Sequence, residues 1–132
     1  MRFLFDASAV IALLNDPNGP VARHARQYQP ADIGLSAIVS HELYFGAFKS
    51  QRRDHNLAIV AGLQFEVVPL DQDDARHAGE IRASLAALGT PIGPYDVLIA
   101  GQARSRDLVL VSRNLREFRR VAGLNVENWE EG

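Results

Sequence analysis

A chain of 132 residues has room for a substantial core, and 47% hydrophobic with 23% charged residues is an ordinary globular composition. The formal net charge of −2 argues against a generally basic nucleic-acid binder, though not against local basic patches. The absence of cysteine excludes a disulfide framework, a thiol nucleophile and a thiolate metal site. Of the 14 basic residues all but Lys49 are arginine, a bias that suits phosphate geometry and equally follows from a GC-rich genome.

The N-terminal run ASAVIALL has the length of a signal-peptide core. Asp6 precedes it, however, Arg2 alone supplies positive charge, and NDPNGP is a poor cleavage site. No stretch approaches the roughly 18 apolar residues of a membrane span, so the expected location is the cytoplasm, with no membrane partner.

In chain order, RFLF (2–5) reads as a short strand leading into a helix at about 8–15, and a second helix lies near 20–28. IGLS (33–36) is a buried strand, followed by helices at 37–50 and about 54–62. FEVVPL (65–70) is the third strand. The next helix carries Ala78, Ile81, Leu85 and Leu88 on one stripe and stops at Gly89. A helix at about 95–105, a strand DLVLVS (107–112), a short helix at about 115–120 and a weak strand in LNVEN complete the chain. Short apolar strands alternating with helices imply an α/β fold with a mostly parallel sheet covered on both faces. No repeat or long linker divides it, so 1–132 reads as one domain.

Four acids stand out. Asp6 ends the first strand, where open α/β sheets bind ligands, but Asp6 or Ser8 could equally cap the next helix. Glu42 has Ile38, Val39, Phe45 and Gly46 as its helical neighbours, which places a carboxylate on an apolar stripe. Asp96 falls at the third position of a helix that starts at Pro94, favourable for the helix dipole and also level with Asp6 at the carboxyl edge. Asn114 and Glu117 have capping-box spacing, while Ser112 and Asn114 face the same edge as uncharged ligands. Carboxylates gathered on one edge repel unless a cation sits among them, and an oxygen-only set without cysteine suits Mg2+ or Mn2+.

The order FLFDAS, then LSAIVSHELYFGAFKS, then IGPYDVLIAGQARSRDLVLVSRNLREFRRVAGLNVENW resembles the PIN-domain ribonuclease toxins of VapBC toxin–antitoxin pairs. The resemblance spans nearly the whole chain. It implies a three-layer α/β/α sandwich, a Mg2+- or Mn2+-dependent endoribonuclease, a cognate VapB-like antitoxin and a homodimer. Asp6, Glu42 and Asp96 match the family's metal-holding acids and Ser8 its polar residue after the first acid. Asn114 stands where a fourth acid is often found, and Glu117, one helical turn later, can substitute. Two departures are Ala7, where the family commonly has threonine, and Ser112, also usually threonine.

On this reading Asp6, Glu42, Asp96 and Glu117 are the catalytic set, and the substrate is an RNA such as tRNA or rRNA. Arg113, Arg116, Arg119 and Arg120 would steer the RNA backbone, and Tyr44, Phe45 and Phe48 would receive an antitoxin segment. His24, His41, His55 and His77 have no ligand spacing to one another. A phosphotransfer domain is disfavoured: Ser8 stands where a dehalogenase-like phosphatase has a second acid, and Lys49 lies far from a receiver-type site. The remaining rival is a non-catalytic PIN-fold module that binds RNA or a partner.

Overall fold

Strands that are apolar at every position belong inside a sheet covered on both faces. In the computed structural model, which describes residues 1–131, Phe3–Phe5 (β1) and Ile33–Ser36 (β2) are buried throughout and pair in parallel at the centre. Glu66–Val68 (β3), Val109–Val111 (β4) and Val126–Glu127 (β5) complete a five-stranded, fully parallel sheet of order β3-β2-β1-β4-β5.

The helices are Ala7–Asn15 (α1), Pro20–Ala25 (α2), Ala37–Lys49 (α3), Arg53–Ala61 (α4), Gln72–Ala87 (α5), Pro94–Ser105 (α6) and Leu115–Phe118 (α7). Right-handed crossovers put α1–α4 on one face of the sheet and α5–α7 on the other. This is the expected α/β/α sandwich. Strand order reverses direction between β1 and β4, so a crevice opens there beyond the carboxyl ends of the strands.

Several elements are shorter than the sequence predicts. The helix predicted to reach residue 28 stops at Ala25, and the one predicted to reach 120 stops at Phe118. The strand predicted over 65–70 stops at Val68, because Pro69 has no amide to donate to a ladder. Leu88 is the clearest correction. Ala78, Ile81 and Leu85 are each 2% exposed, but Leu88 is the C-cap of α5 and 74% exposed. Gly89 then turns the chain with φ of +69°, carrying Leu88 off the apolar stripe.

Two contacts fix α5 against α6. A Cβ on Gly101 would lie 2.6 Å from the Ala78 amide nitrogen, so the helices touch backbone to backbone there. At the far end Asp74 is fully buried and accepts hydrogen bonds from the Ser105 hydroxyl and the Arg106 guanidinium, whose Nη2 lies 2.9 Å from Oδ2. Burial pushes the Asp74 carboxyl up, but the Arg106 hydrogen bond and the Asp71 amide outweigh it and hold the pKa below the ordinary value. Trp129 ties down the C-terminal segment by packing edge-on against Phe3 and Phe5 and stacking on His24 at 4.0 Å.

Candidate active site

Asp6 follows β1 directly, and its amide donates to the Val111 carbonyl of β4, which seats it in the crevice. Of the two candidates for capping the first helix it is Asp6 that does so, from the carboxyl edge where the sequence places it. Its Oδ1 accepts from the Ala9 amide at 3.0 Å, capping α1, and from the Ser8 hydroxyl at 2.6 Å. Its Oδ2 accepts from the Ser112 hydroxyl at 2.5 Å. Ser112 also accepts from the Asn114 amide, and Ser8 from the Arg113 amide, so hydroxyls stitch β1 to the turn after β4. Burial raises the Asp6 pKa against these donors.

Glu42 is positioned by Ser36, which ends β2 and caps α3 by accepting from the Ile38 amide. The stripe that α3 buries is Val39, Leu43 and Ala47, at i, i+4 and i+8. Phe45, expected on that stripe beside Glu42, is 60% exposed. Glu42 therefore stands at the margin of the stripe, half-buried, rather than in its middle. Burial raises its pKa, the Asp6 charge raises it further, and His41 opposes both.

Asp96 occupies the first turn of α6, as the start at Pro94 predicts. Its pKa is pushed up to about 6 by burial, then by the charge and a hydrogen bond of Glu117, then by the charges of Asp6 and Glu42. Asn114 and Glu117 do not form the capping box their spacing suggests. Asn114 makes no side-chain cap to α7; instead its Nδ2 donates to Glu117 Oε2 at 3.0 Å and steadies that carboxylate. Glu117 thereby joins Asp96, and Asn114 supports it from behind.

The fold thus brings together all four predicted acids, with Ser8, Ser112 and Asn114 around them. None of the four acids enters an ion pair among the described residues. Nor, among those residues, do three acidic or histidine side chains converge tightly enough to form a ready-made metal cage. The donor set is all oxygen and electrostatically frustrated, which suits a hard cation held partly through its waters.

The predicted RNA-binding arginines divide. Arg113 is tied bidentately to Glu130 at 2.7 and 2.9 Å, and Arg120 donates to the Pro91 carbonyl. Arg116 and Arg119 are exposed and enter no ion pair among the described residues. Beside Glu42 an apolar cleft of about 560 Å³ runs between α1, α3 and α4, with Ile11, Leu14, Leu43, Ile59 and Val60 on its walls. Sequence reading missed this cleft, whose signal was the apolar side of α4 facing α1. Tyr44, Phe45 and Phe48 do not line it.

Comparison with known proteins agrees with this fold. The family described as PIN domain matches residues 3–124. The chain is 40% identical over 131 residues to the tRNA(fMet)-specific endonuclease VapC of Salmonella typhimurium, covering 98% of each chain. It is 38% identical over 132 residues to ribonuclease VapC2 of Haemophilus influenzae, again covering 98% of each. Among solved structures, DNA-bound VapBC from Salmonella typhimurium superimposes with a TM-score of 0.92 over 98% of each chain at 40% identity. VapBC-1 from nontypeable Haemophilus influenzae superimposes with a TM-score of 0.90 at 28% identity, over 99% of this chain and 100% of that one. The chain belongs to the PIN-domain family and, within it, to the VapC ribonucleases.

Proposed function

We propose that the chain is a Mg2+- or Mn2+-dependent endoribonuclease toxin that hydrolyses RNA phosphodiester bonds and is restrained by a cognate VapB-like antitoxin. The observation that carries this reading is the gathering of Asp6, Glu42, Asp96 and Glu117 at one sheet edge with no ion-pair partner among the described residues, where burial and mutual repulsion push the Asp96 pKa up to about 6. Asp6, Glu42 and Asp96 are the residues that would hold the ion, directly or through its waters. When bound, such an ion activates water and clamps phosphate oxygens. Ser8 and Ser112 fix the orientation of Asp6, which supplies the restraint that the missing threonine hydroxyl at Ala7 would otherwise give. Glu117, steadied by Asn114, would orient the attacking water.

A tRNA is the substrate class we propose, on the strength of the Salmonella relative's name. Arg116 and Arg119 would meet its backbone beside the site, with Arg113 and Arg120 behind them. An apolar antitoxin segment seated in the cleft would lie against Glu42 and obstruct the carboxylates. Among the described residues no helix is long and apolar enough to cross a membrane, and we place the toxin in the cytoplasm as a homodimer.

The test is cleavage of an initiator tRNA transcript by antitoxin-free protein in Mn2+. Cleavage should vanish in EDTA and fall about 100-fold or more in Asp96→Asn, with the fold intact by circular dichroism. An Asp96→Asn variant that cuts at the wild-type rate refutes the assignment. RNA binding without cleavage, by wild type and variant alike, would instead indicate a non-catalytic PIN-fold module.

A further inference from the structure

The corner between α3 and α4 carries chemistry that the carboxylate site does not use. Glu42, Phe45 and Lys49 stand at i, i+3 and i+7 and share one side of α3, so Lys49 lies about 10 Å along the axis from Glu42. Phe45 is 60% exposed and Phe48 52%. The Lys49 ammonium lies 4.8 Å from the centroid of the Phe45 ring, a cation–π contact at the surface. Just beyond, residues 50–55 enclose a shallow polar hollow bordered by Arg52, Arg53 and His55, with Asp54 as its one acid.

Arg53 Nε donates to the Phe48 carbonyl and closes the end of α3, which gives that residue a structural task. Lys49 and Arg52 have no ion-pair partner among the described residues. A chain of net charge −2 gathers Lys49, Arg52 and Arg53 within five positions, beside two largely exposed phenyl rings, one of them with the Lys49 ammonium over a face. Rings alone would suit an apolar docking face, and charges alone a solvated corner. The two together are what single-stranded nucleic acid requires: π-faces for unstacked bases and cations for the backbone.

We propose that this corner is a second substrate contact, at which a single-stranded segment of the RNA, outside the scissile bond, follows α3 away from Glu42. Its bases stack on Phe45 and Phe48, and its phosphates meet Lys49 and Arg52. The proposal rests on the ribonuclease reading and adds a substrate path to it. It also reassigns Phe45 and Phe48 from antitoxin to RNA.

The test compares wild type with Lys49→Gln/Arg52→Gln and with Phe45→Ala, all at exposed positions, using fluorescein-labelled initiator tRNA transcript. Binding is titrated by anisotropy between about 50 and 200 mM KCl, and losing two phosphate contacts should lower the slope of log K against log salt by about 1.4. Phe45→Ala should weaken binding roughly tenfold and leave the slope unchanged. In cleavage, both variants should raise KM with kcat within about twofold of wild type, since neither touches the reacting atoms. An unchanged affinity and slope overturn the proposal. So does unchanged RNA binding with lost affinity for the antitoxin, which would give the corner to the protein partner. Failure of wild type to cleave would count against the ribonuclease reading alone, because the salt slope reads the corner without chemistry.

Discussion

Asp74 and Asp6 are both buried carboxylates at helix starts, and their pKa values move in opposite directions. Burial raises each. Asp74 has the Arg106 guanidinium against it and ends below its ordinary value, whereas Asp6 has hydroxyls and an amide and ends above. Asp96, with Glu117 and two further acids as neighbours, is driven up to about 6. The difference separates an acid whose cation lies inside the chain from acids that have none among the described residues, and on the proposed function the second kind would take theirs from outside.

The comparison can be broken most forcefully at Asp74. Replacing it with Asn removes the buried carboxylate from Arg106, and breaking a buried pair costs about 3–5 kcal/mol, here toward the lower figure because Arg106 is 30% exposed and keeps Asp71 and the Pro69 carbonyl as partners. Urea denaturation should show that loss while the folded fraction keeps its Mn2+ response; a loss below about 1 kcal/mol would end the structural assignment.

Mn2+ itself comes next. At about 100 times its dissociation constant it should add roughly 2–3 kcal/mol to antitoxin-free wild type, seen as a rise in Tm, and add nothing to Asp96→Asn. An equal rise in both proteins would mean that the ion binds elsewhere.

The pH dependence of the metal-free protein is smaller. Asp96 binds its proton more tightly folded than unfolded, so between about pH 4 and 6 the native state carries the extra proton and stability falls as pH rises. After allowance for solvent screening at a half-buried group the fall is about 1–2 kcal/mol, and Asp96→Asn should flatten it. A difference in stability between wild type and Asp96→Asn that climbs over that interval would contradict the frustrated cluster.

Smallest is Ser112→Ala, which removes the hydrogen bond to Asp6 and the one from the Asn114 amide at a cost of about 1 kcal/mol and weakens Mn2+ affinity a few-fold. Unchanged Mn2+ affinity would show that Ser112 does not orient Asp6.

Much of this was legible in the sequence because the relevant signals are local. A carboxylate after FLF, a helix that follows IGLS directly and a Gly-Pro start three residues ahead of Asp96 each place an acid at the same sheet edge. Register along α3 was less legible, since one turn of helix offers Phe45 and Leu43 as rival core residues and only packing against α1 and α4 chooses between them. The fate of Asn114 and Glu117 was illegible for a similar reason. Their spacing is the same whether they cap α7 or reach toward Asp96, and the choice depends on a residue some twenty positions away. The partnership of Asp74 with Arg106 spans thirty-two positions, and nothing in either segment announces the other.

One carboxylate here carries two duties, for Asp6 both starts α1 and faces the crevice. A lineage that no longer needed the activity could discard Asp96 with some relief of repulsion, but at position 6 it would be held to the few residues that cap a helix, aspartate, asparagine, serine or threonine. In descendants that have gone silent, an aspartate that survives there alone is a mark of architecture rather than of chemistry.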